Sequence, residues 1–291
     1  MPVYSQRIAA TRSLSDAPLG TVFLPGRVEP DPLTDNLMAA LPAGSIWLDP
    51  RSGFASGSWT DRKSGEVFAL GTNTGAAMPA VVQDAQNGQR GLLFSNGTSG
   101  CPLVSTSDDI WPIEASYTLV AMIKPTGEAS AVGGIAANQR IETSQTGGVQ
   151  TGASRFGYVV SASVLALNHQ TRDSAGATTT NIVQSVTGAA AGTAAQMWMA
   201  SFDRPGGAAE LWLNGAVNRA VASGITRQNE EGHLVVGAAG YIPGTVYNPL
   251  RYVNLLGLIM VPGLALHQSG TQQTEIRQAI EAYARGKLAI W

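Results

Sequence analysis

From Ser45 onward, hydrophobic residues occur in short runs rich in β-branched and aromatic side chains, and clusters of turn-forming residues separate the runs. Runs of this kind, bounded by Gly, Asn, Asp, Ser and Pro, are typical of β-strands. In chain order they are SIWLD, EVFAL, GLLFS, SYTLVAMIK, FGYVVSASVLAL, TNIVQSV, QMWMASFD, AELWLN, AVNRAV, HLVVGAA and NLLGLIMV. Because no helical pattern intervenes, they predict an all-β fold, an antiparallel β-sandwich of the jelly-roll type.

The last element is predicted to be an α-helix. In TQQTEIRQAIEAYARGK, apolar residues recur at the i, i+3, i+4 and i+7 positions of one helical face, namely Ile276, Ala279, Ile280 and Tyr283. Thr271 or Thr274 is expected to cap its start, and Gly286 stands where a left-handed residue ends a helix. We expect this helix to lay one apolar stripe on the sandwich.

Residues 1–36 differ from the rest of the chain. They lack a sustained apolar period and contain the segment LPGRVEPDPL, in which Pro25, Pro30 and Pro32 are expected to forbid regular structure. We predict an irregular N-terminal arm over 1–36 and a single jelly-roll domain over 37–291. The arm is interpreted either as a docking element for a partner or as a loosely attached terminus.

The segment ELWLNGAV predicts a β-hairpin, because Asn-Gly between two apolar runs favours a two-residue turn with positive φ at both positions. With Asn214 and Gly215 at the tip, the opposed pairs are Leu213–Ala216, Trp212–Val217, Leu211–Asn218 and Glu210–Arg219. Since side chains alternate across a strand, Leu211 and Leu213 share one face, which is expected to point into the core between the sheets. The other face carries Glu210, Trp212, Val217 and Arg219.

Composition and charge narrow the function classes. Only 13% of the 291 residues are charged, and the net charge is −2, so a surface rich in small residues is expected. Lysine occurs only at Lys63, Lys124 and Lys287, and the arginines are scattered singly, so no basic stripe exists and nucleic-acid binding is not expected. Cys101 is the only cysteine, so an intrachain disulfide and a cysteine-based zinc site are excluded.

The sequence also bears on the compartment. The first twenty residues lack the apolar core of a signal peptide, and no apolar run approaches the ~18 residues that span a bilayer. The longest candidate, VNLLGLIMVPGLAL at 253–266, is broken by Pro262 and is predicted to be a buried strand pair. We therefore expect a protein made in a cytosol, without membrane insertion.

Four stretches and the C-terminal end resemble, in order, a laminin-G-like or concanavalin-A-like jelly-roll domain of the bacterial and bacteriophage type. They are SIWLDPRSGFASGSWTDRKSGEVFAL, NGQRGLLFSNGTSGCPLV, SYTLVAMIKPTG, MWMASFDRPGGAAELWLNGAVNRA and GLIMVPGLALHQSGTQQTEIRQAIEAYARGKLAI. They match the family's Trp-Leu-Asp opening and Trp-x-Asp-x-Ser-Gly, its Phe-x-Gly and Lys-Pro strands, its central hairpin, and its closing strand and helix. The resemblance covers about residues 37–291 and implies the fold more than a function.

The family includes glycosidases, which place two carboxyl groups across the scissile bond. The Glu-x-Asp-x-x-Glu strand pattern of its glucanase members is absent from this sequence. Glu230 and Glu231 lie in TRQNEEGH, interpreted as a solvated turn, while Asp108 and Asp109 precede IWP as a turn or helical cap. We therefore expect a non-enzymatic protein, with a glycoside-cleaving enzyme as an alternative.

The resemblance also implies a possible calcium site, because many members of the family bind calcium through Asp side chains and backbone carbonyls. Asp203 in FDRPGG is at the matching turn, but Arg204 follows it, so closing the turn is the favoured role. Asp61 in WTDRKSG is likewise interpreted as a turn residue. No second metal ligand stands at a suitable spacing from the histidines, His169, His233 and His267. No metal and no other cofactor is expected.

Aromatic residues supply the candidate binding site. Trp212 with Glu210 and Arg219 combines an apolar platform with polar groups, as small-ligand sites do, and Tyr241 and Tyr247 lie in the loop GYIPGTVYNPLRY. An open face is favoured, because an ion pair in water costs little whereas burying it requires further partners. If the face is covered, Trp212 is a structural residue like Trp47, Trp59, Trp111 and Trp198, which are expected to be core residues or loop anchors.

A lectin-like fold without a secretion signal or a catalytic cluster is typical of particle proteins that leave the cell by assembly and lysis. We therefore predict a structural protein of a bacteriophage or phage-like particle: a fibre, spike or decoration component located in the virion. Its sandwich is expected to contact a host glycan or another virion protein, its arm to dock it, and its copies to form a homo-oligomer such as a trimer. The alternative is a purely structural assembly protein without a glycan site.

Overall fold

The computed structural model describes most of the sandwich. The described ranges are 31–55, 57–71, 76–95, 100–108, 110, 115–126, 132–139, 155–161, 164–172, 178–187, 194–216, 219–223, 233–242 and 245–291. Residues 33–291 form one compact unit. The predicted N-terminal arm lies outside the described residues as far as residue 30, and Trp111 also lies outside them.

The described elements are almost all β-strands. In chain order they are α1 (Pro32–Ala40), β1 (Ile46–Leu48), β2 (Phe54–Ala55), β3 (Ser58–Thr60), β4 (Val67–Leu70), β5 (Ala80–Gln86), β6 (Gln89–Leu93), β7 (Leu103–Ser105), β8 (Tyr117–Pro125), β9 (Val132–Gln139), β10 (Arg155–Ser161), β11 (Val164–Arg172), β12 (Thr178–Thr187), β13 (Gln196–Asp203), β14 (Ala208–Leu213), β15 (Arg219–Ala222), β16 (His233–Val236), β17 (Ala238–Ile242), β18 (Thr245–Pro249), β19 (Val253–Pro262) and α2 (Thr271–Leu288).

Two large antiparallel sheets form the body of the fold. Sheet A has the order β15-β14-β13-β8-β19-β6-β5, with β1 also paired to β19. Sheet B has the order β12-β11-β10-β9-β16-β7-β4-β3-β2, and β17 pairs with β18 in a separate hairpin. The predicted antiparallel β-sandwich with a C-terminal helix is confirmed.

The core between the sheets follows from side-chain alternation. In β8, Leu119, Ala121 and Ile123 point into this inter-sheet core, where they meet residues of sheet B such as Phe68 and Leu234. In the central strands β8 and β13, however, apolar and polar residues do not alternate; both strands are nearly continuous apolar runs. Their second face must therefore be buried as well.

A second cluster, here called the outer core, covers the other face of sheet A. It joins residues of the sheet to the two helices, and its members include Leu37, Trp47, Val120, Met122, Met197, Met199, Trp212, Ile259, Ile276, Ile280 and Tyr283. The predicted apolar stripe of α2 is confirmed, since Ile276, Ile280 and Tyr283 are all buried. Helix α2 is thus the layer that closes sheet A.

The ends of α2 differ from the prediction. Gly270 occupies the N-cap position without a side-chain cap, so neither Thr271 nor Thr274 caps the helix. At the other end, the helix continues through Gly286 to Leu288, and Ala289 adopts the left-handed conformation. A Cβ at Gly286 would collide with the Leu33 side chain, so this glycine permits close packing between α2 and α1.

Helix α1 was not predicted, and the expectation that Pro32 forbids regular structure is wrong. Pro32 is the first residue of α1, where its fixed φ and missing N–H suit the first helical turn. Leu37 and Thr34 are buried, and Arg51 Nη2 donates a hydrogen bond to Thr34 Oγ1 at 3.1 Å. The predicted boundary between residues 36 and 37 falls inside this helix.

This boundary gives a testable prediction. Deleting residues 1–30 should leave the thermal stability of the sandwich nearly unchanged, because α1 stays intact. Deleting residues 1–36 should lower the free energy of unfolding by about 1 kcal/mol or more, since it removes the Thr34–Arg51 hydrogen bond and the Leu33 contact. Urea titrations of both truncated proteins measure the difference, and equal stabilities would show that α1 contributes nothing.

Two further local predictions are corrected. Residues 253–262 form one ten-residue strand at the centre of sheet A, not a strand pair. In the hairpin, Trp212 lies opposite Arg219 and Glu210 opposite Val221, two positions away from the predicted register. Asn214 and Gly215 do have positive φ values of 51° and 105°. Because the shift is an even number of residues, every side chain keeps its predicted face.

Candidate functional site

The face that carries Trp212 is covered, so the prediction of an open face is wrong. Trp212 is 4% exposed and belongs to the outer core together with Met197, Met199 and Ile280. The predicted partition of the strand is confirmed, because Leu211 and Leu213 point into the inter-sheet core. The cover is α2, a helix far from β14 in the sequence.

Trp212 is held by a charged neighbour on each side. Its indole Nε1 donates to Glu210 Oε2 at 2.6 Å, and Arg219 Nη1 lies 3.2 Å from the same oxygen. From α2, the guanidinium of Arg277 lies 5.6 Å from the indole ring centroid, within cation–π range. Glu210 is therefore buried with two partners, which meets the condition for placing a carboxylate under cover.

A small cleft remains between α2 and sheet A. Its cavity volume is only about 10 Å³, and it is lined by Val120, Met197, Met199, Trp212, Arg277, Ile280 and Glu281. Arg277 is already engaged, since its Nη1 donates to the carbonyl oxygens of Leu266 and Gln268. The walls thus offer mainly methionine and aliphatic groups rather than donors and acceptors for sugar hydroxyls, and the cleft has room for no more than about one water molecule.

A polar network fixes the segment that leads into α2. The Ser201 hydroxyl lies 3.0 Å from Thr118 Oγ1 and 2.8 Å from His267 Nδ1. Thr118 Oγ1 also donates to the Leu264 carbonyl and accepts from the Leu266 N–H, both at 2.9 Å. These bonds tie residues 264–267 to β8 and β13 and so position the helix that follows.

The environment of His267 favours its neutral form. Burial lowers the pKa of His267 below its ordinary value, and the charge of Arg277 acts in the same direction. The carboxylates of Glu210 and Asp203 oppose this shift without cancelling it. In its neutral form, His267 makes one hydrogen bond through Nδ1 to the Ser201 hydroxyl.

The lowered pKa of His267 predicts a pH dependence of stability. The stabilising contribution of neutral His267 is complete above its unfolded pKa of about 6.5 and is lost as pH falls through the lower folded pKa. The free energy of unfolding should therefore fall as the pH drops below about 6.5. In His267→Gln this decline should be shallower, as measured by urea titrations across the range. Equal slopes for the two proteins would contradict the prediction.

The second aromatic candidate is also buried. Tyr241 is 5% exposed and packs with Val104, Ala137 and Val235 beneath the β17–β18 hairpin, on the outer side of sheet B. The expectation that Tyr241 forms an accessible platform at the rim is therefore wrong. The backbone of Tyr247 pairs with Gly240 in this hairpin, and its side chain lies outside the described residues.

The predicted turn roles of two acidic residues are confirmed. Asp61 accepts hydrogen bonds from the backbone N–H groups of Lys63 and Gly65, both at 3.0 Å. Asp203 Oδ2 accepts from the Gly206 N–H at 3.0 Å and closes the turn after β13. The candidates that lie outside the described residues are Asp109, Glu230, Glu231 and the side chain of His169.

Within the described residues, no group of three or more His, Cys, Asp or Glu residues is arranged to hold a metal ion. Neither described helix has the length and apolar character needed to cross a membrane.

Sequence reasoning missed Arg277, the residue that completes the cover over Trp212. It follows Ile276 on the border of the apolar stripe, a place where a long side chain with an apolar stem is common. Its position on the helix was visible in the sequence. Its contact with Trp212 was not, because that contact depends on how α2 docks.

Comparisons with known proteins find structural similarity at low sequence identity. No protein-family model matches the chain, and no curated protein matches it. The chain is similar to the ligand-binding domain of botulinum neurotoxin serotype D in complex with N-acetylneuraminic acid, with 11% identity, a TM-score of 0.48, and coverage of 86% of this chain and 53% of that chain. The chain therefore spans about half the length of that structure.

Two further structures are similar to this chain at comparable sequence identity and with lower TM-scores. Trypanosoma rangeli sialidase in complex with 2,3-difluorosialic acid is 13% identical with a TM-score of 0.44, covering 83% of this chain and 33% of that chain. The CBM40 domain of the Ruminococcus gnavus IT-sialidase is 14% identical with a TM-score of 0.36, covering 57% and 83%. At these identities and TM-scores, a function for this chain has to come from its own residues.

Proposed function

We propose that this chain is a non-enzymatic structural protein of a bacteriophage or phage-like particle, whose β-sandwich binds a host glycan or a neighbouring particle protein. It is made in the host cytoplasm and becomes part of the virion as a fibre, spike or decoration component. Residues 1–30 act as the docking element, and copies of the chain associate, with a trimer as one arrangement. Nucleic acid and membrane are not partners in this proposal.

The observation that carries the non-enzymatic part is that the buried carboxylates among the described residues are engaged in structural bonds. Asp49 pairs with Arg51 and Arg62 at 2.6 and 2.7 Å, and Asp61 holds a loop. Asp203 closes a turn, and Glu210 bonds to the Trp212 indole. General acid–base chemistry on a glycosidic bond needs carboxyl groups facing the substrate. Carboxylates engaged in this way favour a role in binding or assembly.

The covered faces suggest where a partner binds. Helices α1 and α2 lie over sheet A, and the β17–β18 hairpin lies over part of sheet B. The loops at the ends of the sandwich are therefore the favoured binding surface, as is common for loops presented by a rigid scaffold. The proposed binding site is therefore at the strand ends rather than on the hairpin face expected from the sequence.

A purely structural assembly protein is the second candidate. Trp212 and Tyr241 are the two predicted aromatic platforms whose side chains the structure describes. Both are buried, which favours this candidate. A protein whose large aromatic residues serve the core has fewer surfaces on which a sugar ring can stack.

A glycan array and light scattering coupled to size exclusion separate the two candidates. The full chain should bind a defined subset of glycans and elute as an oligomer. An oligomer that binds no glycan would leave the purely structural candidate. Release of sugar from any array glycan during incubation would contradict the non-enzymatic assignment. Sequencing the neighbouring genes tests the particle assignment independently, because genes for virion proteins should adjoin it.

A further inference from the structure

The segment between β18 and β19 lies at one end of the sandwich. Strand β6 ends at Leu93 and β8 at Pro125, and their partners Asn254 and Val253 begin β19. Three strand termini of sheet A therefore meet beside this segment. Such an end is the kind of surface that the covered faces leave for binding.

Tyr252 has an unusual backbone conformation in this segment. Its φ is +57°, in the left-handed region that bulky residues rarely adopt. Three hydrogen bonds hold it there: its N–H donates to the Ser95 carbonyl, and its own carbonyl accepts from the N–H and hydroxyl of Thr126, all at 2.9–3.0 Å. Backbone strain that the surroundings fix in this way clusters at ligand sites.

The adjacent residue, Arg251, has a buried donor without a partner. Its Nε is shielded from solvent, and it makes no hydrogen bond in the described part of the chain. Asn254 Oδ1, three residues further on, is also buried and unpaired within that part. By contrast, the guanidinium groups of Arg62, Arg219 and Arg277 bond to carboxylates or carbonyls. A shielded charged donor costs free energy until an acceptor reaches it.

The charge of this end fits an anionic acceptor. Lys124 lies opposite Asn254 in the sheet, with its ammonium group donating to the Ala85 carbonyl at 2.8 Å. Residues 93–104, 124–126 and 236–254 contain no Asp or Glu. Lys124 and Arg251 are the charged residues of these stretches, and the next carboxylate along the chain is Glu128, which lies outside the described residues.

We infer that Arg251 and Tyr252 form a binding site for the carboxylate of an acidic sugar. The guanidinium presents a planar fork of donors that matches a carboxylate, and the neighbouring Tyr252 ring is half-buried against the inter-sheet core, so that its exposed part adds an apolar surface at this end. The site rests on the glycan-binding part of the proposed function and names the substrate class. Among the described residues, this is the one segment in which a strained backbone, at Tyr252, lies next to a buried donor without a partner, Arg251 Nε.

The test uses sugars that differ only in the charged group. Immobilised oligogalacturonate and the matching neutral galactose oligomer are probed with the full chain, Arg251→Gln and Arg90→Gln. Arg90 is an exposed arginine on β6, so its replacement removes the same charge away from the site. The wild type and Arg90→Gln should prefer the acidic oligomer, and Arg251→Gln should lose about 10- to 100-fold in affinity for it, the value of a charge-assisted bond.

Several outcomes would overturn the inference. They are equal binding of both oligomers, equal loss in the two arginine variants, or preference for a hexaglutamate peptide over the acidic sugar. Glu128, the nearest acidic residue beyond Thr126, lies outside the described residues. If Arg251 pairs with Glu128, the wild type will not bind the acidic oligomer, and the Glu128→Gln variant will have a lower melting temperature than the wild type. Binding of neutral glycans that Arg251→Gln leaves unchanged would refute this site while sustaining the proposed function.

Discussion

Trp212→Ala should lower the free energy of unfolding by roughly 3–5 kcal/mol, because it empties a large buried volume beneath α2. The indole is 4% exposed, donates to Glu210 and lies under the Arg277 guanidinium. Removing it leaves the buried Glu210 carboxylate with one partner fewer, which adds to the cost of the cavity. Urea or thermal unfolding of the variant measures the loss.

Trp291→Ala is the matched control. Trp291 is 43% exposed and stacks with the Arg285 guanidinium at the surface, so its removal should change stability by about 0.5 kcal/mol or less. If Trp212→Ala proved as mild as this control while reducing glycan binding, the indole would be an accessible platform after all. A large loss of stability with binding intact in the folded fraction supports the covered face.

Ile280→Ala should cost roughly 2–5 kcal/mol, as expected for a large-to-small change in a well-packed core. Ile280 is 2% exposed, belongs to the outer core and lines the cleft beside Trp212. Since the inter-sheet core is untouched, the loss reports on α2 docking alone. Chemical unfolding monitored by circular dichroism measures it.

Gln278→Ala provides the comparison on the same helix. Gln278 is exposed, so this change should leave stability nearly unaltered or raise it slightly through the helix propensity of Ala. Small and equal effects at 278 and 280 would mean that the helix is not docked on the sheet.

The fold class could be predicted because its signals are local. Turn residues between β-rich runs and the i, i+3, i+4, i+7 pattern of Ile276, Ala279, Ile280 and Tyr283 depend only on near neighbours in sequence. The faces of the hairpin were predictable for the same reason. The register moved by two residues, yet a period of two preserves which side chains share a face.

The cover over Trp212 could not be predicted, since it depends on a contact between β14 and a helix distant in sequence. Pairing of Glu210 with Arg219 suggested exposure, but an ion pair with an additional indole donor is stable under partial cover as well. Charge alone therefore did not determine whether the face is open. Candidate site residues chosen from chemistry alone missed the packing of α2.

Strand β9 shows another limit of local reasoning. Its sequence, VGGIAANQ, has only Val132 and Ile135 as large apolar residues, and its other positions are small or polar. The reason is the close approach of other backbone, because a Cβ at Gly133 would collide with Pro249 and one at Gly134 with Ala239. Small residues are required here by tertiary contacts, and they weaken the strand signal in the sequence.

The central claim is that α2 closes the Trp212 face, and thiol labelling tests it most directly. Cys101, the single natural cysteine, is buried and serves as the slow internal reference. Ile280→Cys and Gln278→Cys place a second thiol on opposite sides of the helix. The account predicts that the thiol at 280 reacts about 100-fold more slowly than that at 278, since labelling requires the helix to open. Equal rates at the two positions would contradict it.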